Sequence, residues 1–272
     1  MRPGPGDGFR PAKAFKPPGL RRRVRRESLE ARRERARAIA RRLARAYPRS
    51  TCALRHRDPF ELLVATMLSA QTTDLAVNRV TPGLFARFPD ARSMAQASEG
   101  AVEQAIAGIG LWRAKARNVR EAARLLVERH GGEVPRDLDA LVALPGVGRK
   151  TATAVLSTAF GMHAGITVDT HMLRVNRLLG LSDAREPEAM ARALEALLPR
   201  RGWGAYTHRI IDHGRLVCVA NRPRCGACPV SSLCHSAFDP AAGYRADNDG
   251  VVPASAKGLS WLAWETGPAG GR

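Results

Sequence analysis

The stretch that most constrains the fold is Leu144-Pro145-Gly146-Val147-Gly148-Arg149-Lys150-Thr151-Ala152. The two glycines let the backbone turn tightly and approach another molecule closely. The turn leads directly into a predicted helix over residues 149–160, whose first N–H groups and positive dipole end form an anion site. A DNA phosphate fits such a site without reference to base sequence. An ordinary glycine-rich connection between two helices has the same spacing.

The residues around the glycines favour the DNA-binding interpretation. With Pro145 and the basic pair Arg149-Lys150, the stretch resembles the helix–hairpin–helix DNA-binding motif. Lys150 falls in the first turn of the helix, where the dipole and nearby cations disfavour the charged ammonium and make the neutral amine more available. A neutral lysine amine is the nucleophile of Schiff-base chemistry. A further phosphate contact is the simpler role for the same side chain.

A second polar stretch follows the hairpin helix. Val168-Asp169-Thr170-His171 begins eighteen residues after Lys150 and directly precedes another predicted helix. Asp169 is therefore a candidate N-cap, which is the commonest use of an aspartate at such a position.

Four of the five cysteines crowd into residues 218–234. They are separated by six, two and five residues, and they are Cys218, Cys225, Cys228 and Cys234. In a reducing compartment, clustered cysteines indicate metal ligands rather than disulfides. Four thiolates hold either a 4Fe–4S cluster or a zinc ion, and composition does not separate the two. Cys52 lies far away and is interpreted as a buried thiol.

The charge of the chain indicates a polyanionic partner. Lys and Arg number 44 against 25 Asp and Glu, and residues 1–49 alone hold 17 basic and 4 acidic residues. Nucleic acid is the usual partner of such a surface, although a GC-rich genome also enriches arginine. No apolar run reaches the roughly 18–20 residues of a membrane helix, and no secretion signal is recognisable. We expect a cytoplasmic protein with no membrane contact.

Apolar periodicity predicts an all-α fold of about ten short helices, without strands. Helices are predicted to start after the caps Ser28 and Asp58, the latter with a capping-box pattern completed by Glu61. Gly131 and Gly180 stand where C-terminal caps belong. Further helices are predicted over residues 73–85, 99–106, 113–130, 138–143, 149–160, 171–179, 187–198 and 205–217.

Taken together, the hairpin with Lys150 and the Val168–His171 stretch resemble the endonuclease III family of DNA glycosylases. The resemblance covers about residues 30–236 and implies Lys150 as nucleophile and Asp169 as the essential carboxylate. The cysteine spacing matches the iron–sulfur loop of this family and therefore implies a 4Fe–4S cluster. Arg222 and Arg224, between the first two cysteines, would face DNA phosphate.

The same resemblance implies a base-flipping apparatus. The segment Leu68-Ser69-Ala70-Gln71-Thr72-Thr73-Asp74 is similar to the one that lines the lesion pocket in this family. It implies Gln71 as the plug that fills the hole in the duplex, with Ser69 and Asp74 near the flipped base. His171 is a candidate contact in the same region, and a structural histidine is the alternative interpretation of that residue. Leu111, after Gly108-Ile109-Gly110, would be an apolar wedge. Taking a base out of the stack requires such residues.

The resemblance implies a two-lobed helix–hairpin–helix DNA glycosylase fold. Residues 52–162 would form a six-helix lobe with the hairpin, and residues 28–51 with 163–236 would form the iron–sulfur lobe. Residues 1–27 are expected to be a disordered basic tail and residues 237–272 a flexible tail.

The implied activity is that of a monomeric bacterial base-excision-repair enzyme at the nucleoid. It would remove oxidised pyrimidines from double-stranded DNA and cleave 3′ to the abasic site by β-elimination. The rival functions are a monofunctional mismatch glycosylase, which normally lacks the lysine, and a non-catalytic DNA-binding module.

Overall fold

The computed structural model describes residues 27–250, and this part of the chain is mainly helical. Its α-helices, named α1 to α11 in chain order, are Leu29–Ala46, Pro59–Leu68, Asp74–Arg87, Ala91–Gln96, Glu99–Ala105, Trp112–His130, Leu138–Val142, Arg149–Phe160, Thr170–Leu178, Pro187–Glu195 and Trp203–Leu216. The all-α prediction is confirmed. The sequence interpretation missed α4, together with one short antiparallel ladder between β1 (Cys218–Val219) and β2 (Arg222–Pro223).

The predicted helix ends are set by local chemistry. The Ser28 hydroxyl accepts a hydrogen bond from the N–H of Ala31, and the Asp58 carboxylate accepts one from the N–H of Glu61. Gly131 and Gly180 adopt left-handed φ values of 65° and 71°, as glycine after a helix does. The capping-box prediction is wrong in one detail. The Glu61 carboxylate accepts from the N–H of Arg57, one residue before the cap.

The helices group into two compact units. The first, called here the hairpin unit, comprises Arg49–Asp169 and Leu194–Arg209. Its core surrounds α2, in which every residue from Phe60 to Leu68 except Thr66 is buried. Helices α3, α6 and α8 pack against α2. The helix that follows the glycine turn is therefore anchored on the most apolar element of the unit.

The second unit, called here the cysteine unit, comprises, within the described residues, 27–48, Thr170–Ala193 and 210–250. Helix α1 buries Ala36, Ile39 and Leu43 in this unit. The Arg35 guanidinium donates to the carbonyls of Leu179, Gly180 and Leu233. One side chain thus joins α1 to two segments that are distant in sequence.

The expected flexible tail does not begin at residue 237. Residues 237–250 form 3-10 turns over Pro240–Ala242 and Ala246–Gly250. The Asp249 carboxylate accepts hydrogen bonds from the N–H of Gly226 and from the Tyr244 hydroxyl, at 2.9 and 3.0 Å. The pattern of apolar and polar residues predicted no regular structure in this segment, because hydrogen bonds of polar side chains and of the backbone hold it in place. Residues 251–272 and the basic stretch 1–26 lie outside the described residues.

Candidate functional site

The glycine turn between α7 and α8 has the geometry of an anion-binding loop. Gly146 has a φ of 74°, in the left-handed region that side chains other than glycine rarely adopt. Leu144 and Val147 are each 4% exposed and anchor the turn in the hydrophobic core of the hairpin unit. Gly148 is the N-cap of α8, and no side chain caps this helix. The first N–H groups of α8 are therefore available to an external acceptor.

Gly146 also needs to be glycine because of its neighbour. A Cβ at this position would lie 2.9 Å from Nδ2 and 3.0 Å from Cβ of Asn118, on α6. A Cβ at Gly148, where φ is −82°, would meet nothing within 4 Å. Glycine is therefore favoured at the two positions of the turn for different physical reasons. Gly146 meets a steric and conformational requirement, whereas Gly148 leaves the helix end open.

Arg149 and Lys150 are the first two residues of α8, and both are exposed. Their side chains start beside the open N–H groups, so a phosphate held by the turn would lie within reach of two cations. Lys150 is a solvent-accessible primary amine on a rigid helix.

Asp169 and His171 are half-buried and flank Thr170, the first residue of α9. Asp169 is the last residue of its stretch of the hairpin unit, and His171 belongs to the cysteine unit. The His171 ring packs beside Gly214, where an added Cβ would lie 3.1 Å from Cδ2.

Two of the predicted base-flipping residues have strained backbones. Gln71 and Leu111 have φ values of 54° and 58°, and both are exposed, Leu111 to 63%. Non-glycine residues in the left-handed region cost about 1–3 kcal/mol and cluster at functional sites. Such residues persist only where the surrounding structure holds them. The side chains of Gln71 and Leu111 are therefore presented to solvent from turns of defined shape.

The remaining predicted pocket residues flank Gln71. The Ser69 hydroxyl donates to the carbonyl of Thr66 at 2.7 Å, which ends α2. Asp74 is half-buried and opens α3, with Thr73 as the N-cap. Both residues are held by the ends of the two helices that bracket the turn.

The sequence interpretation missed Lys115. Its side chain is 7% exposed, and its Nζ donates to Oγ1 of Thr72 at 2.6 Å. Burial lowers the pKa of this lysine. The signal was present in the sequence, because Lys115 stands in register with the buried Val119, Ala122 and Leu126 of α6.

The four clustered cysteines line one cavity in the cysteine unit, together with Leu178, Leu179, His213, Val217 and Ala242. Burial raises the pKa of the Cys218 thiol to about 12 and that of the Cys234 thiol to about 11. Burial also raises the pKa of Cys225 and Cys228. A cavity with an apolar wall and four sulfur donors suits a soft metal centre that displaces the thiol protons. Cys52, outside this group, is half-buried, and burial raises its pKa.

The two arginines of the cysteine loop differ in their exposure to solvent. Arg222 is exposed, as a phosphate contact requires. Arg224 is 5% exposed, and its guanidinium donates to the carbonyls of Leu216, Asn248 and Asp249. The prediction of a DNA contact is wrong for Arg224, because its donors are turned inward. Two of the three carbonyls that hold it, those of Asn248 and Asp249, come from a segment for which the sequence predicted no structure.

Two kinds of feature are absent from the part of the chain that the structure describes. Within residues 27–250, no three His, Cys, Asp or Glu side chains are grouped as ligands of a single metal ion. In the same part of the chain, no helix combines the length and apolarity needed to cross a bilayer.

Comparison with known proteins identifies the family. Residues 64–200, which contain the glycine turn, Lys150 and Asp169, match the model of the HhH-GPD superfamily base excision DNA repair proteins. The chain belongs to this superfamily. Within it, the chain is 46% identical over 209 residues to endonuclease III of Synechocystis, covering 77% of the chain and 95% of that protein. The predicted membership of the endonuclease III family is thereby confirmed.

Solved structures of the family agree with the fold. A non-covalent endonuclease III–DNA complex superposes with a TM-score of 0.70 at 41% identity, covering 76% of the chain and 97% of that protein. A trapped endonuclease III–DNA covalent intermediate superposes with a TM-score of 0.69 at 40% identity, covering 76% and 98%. The helix–hairpin–helix DNA glycosylase fold is confirmed. The protein is a base-excision-repair enzyme of the DNA glycosylase/AP lyase type.

Proposed function

We propose that this endonuclease III family member removes oxidised pyrimidines from double-stranded DNA and cleaves the strand 3′ to the resulting abasic site, with Lys150 as nucleophile. The proposal rests on the exposed Lys150 amine in the first turn of α8, a helix that follows the glycine turn and has no side-chain cap. A helix start that binds phosphate and a lysine beside it suit covalent attack on a sugar next to that phosphate.

DNA binding is proposed to start at the hairpin. The N–H groups after Gly146 and Gly148 would grip one backbone phosphate, and Arg149 would add a charge-assisted contact. Arg222, exposed on the cysteine loop, would bind a second phosphate. The net charge of +19 supports a DNA partner and, with it, a cytoplasmic enzyme at the nucleoid. We expect the enzyme to act as a monomer.

Base flipping is assigned to the two strained turns. Extruding a base from the stack costs a few kcal/mol, and residues that fill the vacated space offset part of that cost. Gln71 would enter the hole as a polar plug, and Leu111 would press into the stack as an apolar wedge. Ser69 and Asp74 would line the pocket that receives the lesion, and the role of His171 near the flipped base stays a prediction from the resemblance.

The chemistry follows from an amine and a carboxylate. The neutral Lys150 amine attacks C1′, the glycosidic C–N bond breaks, and the base leaves with the bonding electrons and takes up a proton. The Asp169 carboxylate stabilises positive charge on the sugar and accepts a proton from the attacking amine. Opening of the sugar ring gives a Schiff base at C1′. Loss of a C2′ proton then expels the 3′ phosphate, and hydrolysis of the imine frees Lys150.

The four cysteines are proposed to hold a 4Fe–4S cluster, each thiolate binding one iron. When bound, the cluster would cross-link residues 218–234 and fix the exposed Arg222. Neither base departure nor elimination transfers an electron, so the proposed role is structural. Iron analysis of the purified protein tests the assignment, with about four iron atoms per chain expected. One zinc ion per chain and no iron would contradict it.

Lys150→Gln and Asp169→Asn test the catalytic assignment. Lys150→Gln keeps most of the side-chain length but removes the amine, so it should bind lesion DNA and form no borohydride-trapped adduct. Asp169→Asn keeps the amine and loses most base excision, because a neutral amide does not offset positive charge on the sugar. A preformed abasic site has already lost its base, so Asp169→Asn should retain more activity there.

The matched control is Arg149→Gln, one residue before Lys150 and equally exposed. It should weaken DNA binding and still give the trapped adduct at saturating protein. If Lys150→Gln formed the adduct at the wild-type rate, another amine would be the nucleophile and the assignment would be wrong.

A further inference from the structure

Lys115 is a buried cation whose placement the proposed chemistry does not use. It lies in the first turn of α6, and its N–H donates to the carbonyl of Leu111 at 3.0 Å. Its ammonium, on a side chain that is 7% exposed, donates to the Thr72 hydroxyl at 2.6 Å. Thr72 directly follows Gln71. A single residue therefore joins the turn that carries Leu111 to the turn that carries Gln71.

The charge of Lys115 is unusual for a buried group. Buried ammonium groups are normally paired with a carboxylate. Burial alone accounts for the lowered pKa of Lys115, and among residues 27–250 no carboxylate forms a salt bridge with it. A methionine would fill the same space without the desolvation penalty. The lysine is therefore better explained by its hydrogen bond to Thr72 than by packing.

The hydrogen bond from Lys115 to Thr72 acts on the turn that contains Gln71, a residue in a strained backbone conformation. Gln71 has a left-handed φ of 54°, and such a conformation persists only where neighbouring contacts hold it. Thr72 is held at three points. Its N–H donates to the Ser69 carbonyl, its hydroxyl donates to the Ala70 carbonyl at 3.4 Å, and the same hydroxyl accepts from Lys115. The first two contacts are local to the turn, whereas the third, from Lys115, ties the turn to α6.

We propose that Lys115 is a positioning residue for base flipping, which holds the Gln71 plug and the Leu111 wedge in register through its hydrogen bond to Thr72. The inference rests on the proposed function, since it concerns the residues that enter the duplex there. Plug and wedge must enter the stack together, and displacement of one by about 1 Å costs up to a hundredfold in rate. Lys115 touches neither the lesion nor the reacting sugar in this proposal.

The test compares Lys115→Met and Thr72→Val, singly and together, with Thr72→Ser as the matched control that keeps the hydroxyl. Valine has the shape of threonine, so Thr72→Val keeps the folded structure even if Lys115→Met is unstable. Each variant is assayed in single turnover at saturating protein on two duplexes, one with an oxidised pyrimidine and one with a preformed abasic site. Fluorescence of 2-aminopurine next to the lesion reports extrusion of the base.

We expect Lys115→Met and Thr72→Val each to slow excision and extrusion about tenfold, the effect of losing one hydrogen bond to a charged group. The double variant should be no slower than either single variant, because both changes remove the same contact. Cleavage of the abasic duplex should fall less, since no base has to be unstacked. Thr72→Ser should match the wild type on both duplexes.

Three results would overturn the inference. Wild-type excision by both single variants would show that the contact positions nothing. Additive losses in the double variant would show two unrelated roles. Equal losses on both duplexes together with a lowered Tm would show a merely structural role. Absence of excision by the wild type itself would instead contradict the proposed function, so the two failures are distinguishable.

Discussion

Replacing Gly146 by alanine tests whether the glycine turn is the part of the enzyme that grips DNA. Alanine at a φ of 74° costs about 1–3 kcal/mol, offset by about 0.4–1 kcal/mol from the lower entropy of the unfolded chain. The new Cβ would also lie 2.9 Å from Nδ2 and 3.0 Å from Cβ of Asn118, so one of the two must move. Overpacking of this kind adds about 1–3 kcal/mol. We expect Gly146→Ala to lower the free energy of unfolding by about 2–4 kcal/mol.

The shift of the glycine turn that Gly146→Ala forces should also weaken DNA binding. The N–H groups of the turn point at a phosphate only while Gly146 keeps its left-handed conformation. Losing a charge-assisted hydrogen bond there should raise the Kd for an abasic duplex about tenfold or more. The assays are denaturant unfolding and fluorescence anisotropy at fixed salt, because phosphate contacts depend on salt.

Two matched variants separate the causes. Gly148→Ala adds the same methyl group where no protein atom lies within 4 Å, so it should lower the free energy of unfolding far less. Its methyl group would stand at the open helix end, so it should still weaken DNA binding. Asn118→Ala in the Gly146→Ala background removes Nδ2 but keeps Cβ, so it should recover part of the lost stability and leave the conformational part. Wild-type stability and affinity in Gly146→Ala would refute the account of the turn.

Two further predictions concern the cysteine unit. Asp249→Ala removes the acceptor of the Gly226 N–H, between Cys225 and Cys228, and should lower the free energy of unfolding by about 1–3 kcal/mol and speed iron release to a chelator. The exposed Asp247→Ala should do neither, and equal behaviour of the two variants would contradict the prediction. Glu27→Gln should lower Tm at pH 7, because hydrogen bonding to Arg35 lowers the pKa of Glu27 from its ordinary value of 4.5. The Glu27 carboxylate stabilises the fold above that value and loses this effect as pH falls through its lowered pKa. The difference in Tm between the wild type and Glu27→Gln should therefore close in acid. A difference that stays constant with pH would be evidence against the ion pair.

The sequence predicted those features whose cause is local. The caps Ser28 and Asp58 and the left-handed Gly131 follow from the chemistry of one helix end, and each was predicted from neighbours within a few residues. Helix α4 was missed because it has only six residues, and one Asp90–Ser93 capping box sets it. So short an element has too few turns to show periodicity.

Features that depend on distant partners were not predictable in the same way. Arg224 looked like a DNA contact in sequence, but its acceptors are carbonyls of residues 216, 248 and 249. Lys115 stood on an apolar stripe, and only the structure brought Thr72 to its Nζ. The roles of Lys150 and Asp169 came from resemblance, because an exposed lysine and an aspartate before a helix are chemically ordinary by themselves.

The discontinuity of the cysteine unit has a consequence for synthesis of the chain. Arg35 binds the carbonyl of Leu233, 198 residues later, so at about 5–20 residues per second α1 waits about 10–40 s for that acceptor. The hairpin unit has all its residues once the ribosome passes Arg209, before the first clustered cysteine, Cys218, is made. During that interval Arg35 of α1 lacks one of its final acceptors, while all residues of the hairpin unit have already been made. The contact between Arg35 and Leu233 therefore forms only after every residue of the hairpin unit has been synthesised.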